Sequence, residues 1–409
     1  MKYLTLYFNL HQPFRIYKEF VREKYRCKTY TIDTFNKIIF DKEQNRRIFQ
    51  SIADKCYLPA LKQLRDSIIK YSDKNYDFKV NFSISGTFIE QAQEFKPEIL
   101  EFISELVKTG NIEIMALPYY YSISSIYNRH KKEFRWEVNH YISVIKDLFG
   151  YSPVSFVNTA LIYNNAIASV VSELGIESIY TEGSDNLLRG WMSPNYLYTD
   201  NKKKLCIFLR NYRLTNELIS RLTAAHNNPE YEIQVFLGWL SRIQGSIINI
   251  GMDFEVFGER FPASSGIIAL IKHLPEKLRE IEDIKIINFR EINKLDEASG
   301  SIDAFEIGET VSWTDREKDI SAWINNEMQW LCYENLKNIY AMIFRKSQNS
   351  DMLIKIAGKL SSADHFYYMS TKPGFEERKY FSPYTSPQEA FTHYLRAIIE
   401  LENFVINDD

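Results

Sequence analysis

Short apolar runs alternate with amphipathic stretches over roughly the first 290 residues of the chain. The runs at 3–8, 78–84, 111–115, 154–157, 176–181, 205–208 and 246–250 read as strands. Most are apolar without strict alternation, the pattern of strands covered on both faces. Between them, Ile99, Phe102, Ile103, Leu106 and Val107 form the apolar stripe of a helix that opens at Pro97 and stops at Gly110. A second stripe, Ile167, Val170, Val171 and Leu174, ends at Gly175 and leads into the next strand. Strand–helix–strand units of this length pair in parallel. About seven strands predict an α/β fold, a closed or nearly closed (β/α) barrel. A doubly wound open sheet would leave much the same pattern.

The pattern changes near residue 295, which divides the chain into an α/β unit over 1–295 and a helical unit over 296–409. Ile320, Trp323, Ile324, Met328, Leu331, Leu336, Ile339 and Ile343 keep roughly helical spacing. Ser386-Pro387-Gln388-Glu389 reads as a capping box that opens a second helix through Phe391, Leu395, Ile398 and Leu401.

Charge and composition narrow the function. The formal charge is −3, with 50 Lys and Arg against 53 Asp and Glu, so the basic footprint that nucleic acid or an anionic membrane surface requires is missing. No apolar run approaches the ~18–20 residues of a spanning helix. Asn9, His11 and Gln12 interrupt the apolar start before it can form a signal sequence, and a cytoplasmic location is expected. Four well-separated cysteines, Cys27, Cys56, Cys206 and Cys332, read as reduced thiols. Aromatic residues make up 15% of the chain, which supplies core bulk and also rings of the kind that line carbohydrate grooves.

No phosphate-cradling or dinucleotide glycine motif is present, and neither is a nucleophile elbow. The histidines (His11, His130, His140, His226, His273, His365 and His393) never pair at i, i+4, so neither a metal site nor any cofactor is expected. Carboxylate chemistry remains. In parallel barrels the reacting groups stand where strands end. Three strands run into polar residues there: Asn9, His11 and Gln12; Asn158, Thr159 and Ala160; Asp253 and Glu255. Taken singly, each also reads as a hydrogen-bonding or capping residue.

In order along the chain stand His11-Gln12-Pro13, Gly110-Asn111-Ile112-Glu113 and Asn158-Thr159-Ala160-Leu161-Ile162-Tyr163. Met252-Asp253-Phe254-Glu255-Val256-Phe257-Gly258-Glu259 and Ser312-Trp313-Thr314-Asp315, running on to Asp319-Ile320-Ser321-Ala322-Trp323, complete the series. These resemble the five signature regions of glycoside hydrolase family 57, the α-amylase and 4-α-glucanotransferase group. Asp364-His365-Phe366-Tyr367-Tyr368 and Phe381-Ser382-Pro383-Tyr384 extend the likeness over essentially the whole chain. The resemblance implies a (β/α)7 barrel followed by a helical domain, acting on an α-glucan or maltooligosaccharide by a retaining mechanism. It also implies that Asp253 is the acid/base and that His11, Tyr120, Trp191, Glu255, Trp313, Trp323 and Asp364 bind substrate.

One position departs from the family in the mechanism itself. A retaining glycosidase needs two carboxyl groups about 5–5.5 Å apart. Where the family carries its nucleophile glutamate this chain has Ala160, whose methyl group cannot attack an anomeric carbon. Either the glutamate was replaced deliberately or the lineage lost it. Family histidines are missing as well: Tyr119-Tyr120-Tyr121 stands where Tyr-Tyr-His is usual, Gly258-Glu259-Arg260 where Gly-Glu-His is usual, and a histidine near Asn186 is absent. A single designed change would not remove these, which favours natural loss. Without a neighbouring carboxylate, Asp253 is expected to ionise more readily and to be a poorer acid. The expected function is α-glucan recognition with hydrolysis absent or strongly impaired. The alternative is an active hydrolase or 4-α-glucanotransferase, seen as a nucleophile-to-alanine variant or using an unrecognised nucleophile. A metal-dependent deacetylase on a similar barrel is disfavoured by the missing histidine pairs.

Overall fold

The computed structural model describes residues 1–73, 76–127, 131–202, 204–224, 228–294, 298–305, 308–345, 350–373 and 382–407. His130, His226 and Phe381 lie outside them, as does the boundary expected at 295. The strands are β1 (Lys2–Leu10), β2 (Val80–Ile84), β3 (Ile112–Ile114), β4 (Ser155–Val157) and β5 (Ser178–Glu182), then β6 (Tyr198–Asp200), β7 (Cys206–Arg210), β8 (Ile247–Asp253), β9 (Ile284–Ile286) and β10 (Ser301–Ile302). All seven expected strands are present, within three residues of their expected ends.

Those seven form a closed parallel ring. β8, β1, β2 and β3 pair in that order, as do β4, β5, β7 and β8. Between β3 and β4 the ring closes through one parallel bridge, Ala116 to Phe156, with Ala116 N donating to Ser155 O at 2.8 Å and Val157 N to Ala116 O at 2.9 Å. This closure decides between the barrel and the open sheet. β9 pairs with the first residues of β1, which β2 leaves uncovered, while β6 and β10 extend from the outer edge of β7. The strand interiors are buried, with Leu4, Leu6, Phe8, Phe82, Ile84, Ile179, Phe208 and Ile250 all sealed from solvent.

The helical part begins later than its apolar spacing suggests. Residues 312–324 are irregular, and the helix runs only over Glu327–Ile343. The reason is local: Asn326 closes a capping box with Gln329, which makes Glu327 the first helical residue. Upstream backbone groups are used elsewhere, with Trp313 N donating to Ala160 O and Ser312 N to Lys318 O, both at 2.9 Å. Asp315 and Lys318 also take left-handed conformations that a helix cannot contain. The second expected helix, Pro387–Asn407, is present. Ser386 Oγ accepts from Glu389 N at 3.1 Å, but the Glu389 carboxylate returns to Thr385 N rather than to Ser386. These two helices pack together, and Lys18–Glu389 and Lys24–Glu400 ion pairs tie the latter to the barrel side.

Candidate active site at the C-terminal ends of the strands

The C-terminal ends of β1, β4, β7 and β8 open onto a cavity of about 990 Å³, roofed by the irregular 312–324 segment and by residues 363–368. Ala160, Asp253, Glu255, His11, Trp313, Trp323 and Asp364 all line it. His11 and Asp364, 353 positions apart in the chain, meet here.

Asp253 ends β8 in register with Asn9 of β1. Its Oδ1 accepts from Asn9 Nδ2 at 3.0 Å, and its Oδ2 is ion-paired with Arg260. The Asn9 amide is oriented by Ser83, whose hydroxyl donates to Asn9 Oδ1 at 2.8 Å. Asn9 Nδ2 also reaches Tyr121 Oη at 3.3 Å, and that hydroxyl accepts from Ala160 N at 3.2 Å. One hydrogen-bonded line therefore joins Asp253 to the backbone of Ala160.

Ala160 lies in a tight turn held by Asn158, whose Oδ1 accepts from Thr159 N and whose Nδ2 donates to Ile162 O. Ala160 has φ +47° and Leu161 φ +58°, a left-handed pair that costs each residue about 1 kcal/mol. Strain of this kind concentrates at functional sites. The strained turn thus persists although its side chain carries no chemistry.

Glu255 is buried and accepts from Tyr57 Oη at 2.6 Å, while Gln12 Nε2 donates to that hydroxyl at 3.0 Å. Burial, and then the nearby Asp253 charge, push the Glu255 carboxyl up to about 8.

His11 stacks on the Tyr121 ring with centroids 4.0 Å apart, and its Nε2 meets Asp364 Oδ2 at 2.7 Å. Burial opposes ionisation of Asp364, but the His11 ring and the Ser362 hydroxyl outweigh it and hold the carboxyl at about 2. His11 Nδ1 meets Ser85 Oγ at 2.8 Å, completing a serine–histidine–aspartate line. This is no nucleophilic triad: Ser85 is fully buried, and its Oγ caps the next helix at Phe88 N.

Two expected substrate contacts stand elsewhere. Tyr120 does not line the cavity. Its ring lies on Gly358, so closely that a Cβ there would come within 2.1 Å, and it stacks parallel to Trp136. Tyr121, turned by a φ of +55°, faces the cavity instead. Trp191 is 78% exposed and also outside the cavity lining.

The structure adds groups that the sequence did not single out as contacts. Besides Asn9, Tyr121 and Arg260, these include Arg210, which donates to Gly251 O and Glu182 at 2.7 and 2.8 Å. Its guanidinium lies 5.5 Å over the Trp313 ring and braces it. Lys318 shares Glu182 at 3.3 Å, and burial lowers its ammonium below the usual range against the pull of that carboxylate. Polar residues at strand ends were the available signal for Asn9 and Arg210. Among the described residues no group of three His, Cys, Asp or Glu could hold a metal, and no helix is long and apolar enough to cross a membrane.

A closed seven-stranded barrel with helices after it and a cavity lined by carboxyl and aromatic groups at its strand ends defines a glycoside-hydrolase type of protein. Residues 5–304 match the family model of Glycosyl hydrolase family 57. The chain belongs to that family. It is 35% identical to "Putative alpha-amylase" of Methanocaldococcus jannaschii, over 98% of this chain and 84% of that protein. Its fold is that of the family 57 branching enzyme from Thermococcus kodakaraensis, with a TM-score of 0.70 and 13% identity, over all of this chain and 92% of the other. The 4-alpha-glucanotransferase from Thermococcus litoralis aligns with a TM-score of 0.64 and 14% identity, over 89% of this chain but only 56% of its own.

Proposed function

We propose that this protein is an amylase-like receptor for α-glucans in which hydrolysis is absent or strongly impaired, with Asp253 at the acid/base position and Ala160 where the nucleophile would stand. The observation that carries this reading is that Ala160 lines the same cavity as Asp253, with its backbone N–H linked to that carboxyl through Tyr121 and Asn9. No oxygen is offered from that position to an anomeric carbon. Deleting the nucleophile of an unrelated hydrolase costs on the order of 10⁶-fold in turnover, and a loss of that order is expected here.

The rest of the groove is kept. Trp313 is braced by Arg210, and Tyr121 by His11, and both residues line the cavity beside carboxyl and amide groups. Sugars present apolar C–H faces ringed by hydroxyls, and such mixed surfaces suit them. A cytoplasmic protein of carbohydrate metabolism is the setting this reading implies.

Calorimetry with maltooligosaccharides, paired with an assay for new reducing ends, tests it on the unaltered protein. Binding without measurable cleavage is expected, and Trp313→Ala should weaken binding by about 10-fold or more. Cleavage of starch-like chains at an ordinary enzymatic rate would overturn the impairment. A complete lack of binding would overturn the receptor.

A further inference from the structure

We infer that Arg260 is a second and independent block on glycosidic cleavage, because its guanidinium occupies the oxygen of Asp253 from which a leaving group would take its proton. The inference rests on the reading that Asp253 stands at the acid/base position, and it adds a residue to which that reading gives no role.

The argument begins with the turn after β8. Residues Phe254–Phe257 form a single tight helical turn, and Gly258 then takes φ +142°. A Cβ on Gly258 would come within 2.2 Å of Lys55 O, so the backbone is pressed against the neighbouring element and only glycine fits. Glu259 N and Arg260 N both donate to Glu255 O, at 3.0 and 2.8 Å, folding the chain back on itself. Lys55 pairs with Glu259. Arg260 is thereby brought back over the carboxyl seven residues upstream, and both line the cavity.

Donor counting gives the chemical consequence. A guanidinium has only donors, and so does the face of the Asn9 amide turned toward Asp253, since Asn9 Oδ1 is spent on Ser83. Both Asp253 oxygens are therefore acceptors, the arrangement of a carboxylate. A general acid must instead present an O–H to the departing oxygen. Cleavage of an unactivated glucan breaks the C–O bond and leaves an alkoxide that needs that proton. Cleavage of a glycosyl fluoride breaks a C–F bond, and fluoride carries the electron pair away unprotonated.

This difference supplies the test. Azide serves as an external nucleophile in the space beside Ala160, forming a C–N bond at the anomeric carbon. Unaltered protein with azide and α-maltosyl fluoride should yield β-maltosyl azide, whereas with maltoheptaose glycosyl azide should form at least about 100-fold more slowly. In Arg260→Gln the maltoheptaose reaction should rise by about 100-fold or more, the usual worth of general acid catalysis, with at most a few-fold change for the fluoride. Arg260→Lys keeps the charge and should remain as slow on maltoheptaose, while Arg260→His repeats the test with a different side chain. If the fluoride reacts but neither Arg260→Gln nor Arg260→His raises the maltoheptaose reaction, the block by Arg260 is wrong and the receptor reading stands. If unaltered protein converts both substrates equally, the inference also fails. If no variant converts the fluoride despite binding it, the placement of the two catalytic positions is wrong and the inference falls with it.

Discussion

Side chains at this site are defined by what holds them. Tyr119, Tyr120 and Tyr121 are identical in type, yet one lies on Gly86, one on Gly358 and only the third faces the cavity. Ala160 gives the sharpest case for a prediction. At φ +47° the alanine Cβ is unfavourable, and the residue is buried at the edge of the cavity. Ala160→Gly should therefore stabilise the protein by about 1 kcal/mol in urea unfolding, without restoring hydrolysis. A loss of stability would show that the turn is held by packing of the methyl group instead.

Among elements, the helix Ser350–Leu360 and the loop after β3 meet at one point, where the Tyr120 ring lies on Gly358. The loop is anchored from the other side by Glu137 of the helix Lys132–Phe149, which accepts from Tyr120 N at 3.0 Å and Ser122 Oγ at 2.5 Å. Gly358→Ala would place a carbon about 2.1 Å from the ring and force the loop outward. An overpacking cost of about 1–3 kcal/mol is expected, together with weaker maltooligosaccharide binding, because Tyr121 is the next residue. Thermal unfolding and calorimetry on the same variant would check both. At this scale the sequence was legible where the chain repeats a simple local rule. The seven barrel strands and the helix Glu98–Lys108 follow from apolar runs and glycine stops. The helical spacing that starts at Ile320 becomes a helix only at Glu327, since upstream Trp313 N donates to the loop carrying Ala160, Ser312 N to Lys318 O, and Trp313 and Trp323 line the cavity.

For the whole molecule, buried ionisable groups set the response to pH. Burial raises Glu113 and Glu137 to about 7, and burial with the Asp253 charge raises Glu255 to about 8. Each has a native value above the ordinary one near 4.5, so its stabilisation is complete below that value and is lost as pH rises through 7 or 8. His365 has the opposite sign: burial lowers it to about 4, and stability is lost as pH falls from 6.5 through that value. Asp364, held at about 2, adds a further loss under stronger acid. Three raised carboxyls outweigh one lowered histidine, so maximal stability is expected at about pH 4–5, below the carboxyl loss and above the loss from Asp364 and the end of the His365 slope. Glu137→Gln should flatten the alkaline slope, gaining on the order of 1–3 kcal/mol relative to the unaltered protein between pH 5 and pH 8 in denaturant titrations. An unchanged slope would remove Glu137 from this account.

The primary structure alone determined the order of the seven barrel strands and the family, because apolar periodicity and ordered motifs are written locally along the chain. It named His11, Ala160, Asp253, Glu255, Trp313, Trp323 and Asp364, which line one cavity. Only the tertiary structure decided that the barrel closes, that Tyr121 and not Tyr120 faces the cavity, that Trp191 stands outside its lining, and that Arg260 caps Asp253. Those outcomes depend on which backbone turns left-handed and which glycine yields room to a ring. They depend equally on which donor reaches an acceptor far away in the chain, and such distances exist only once the chain has folded.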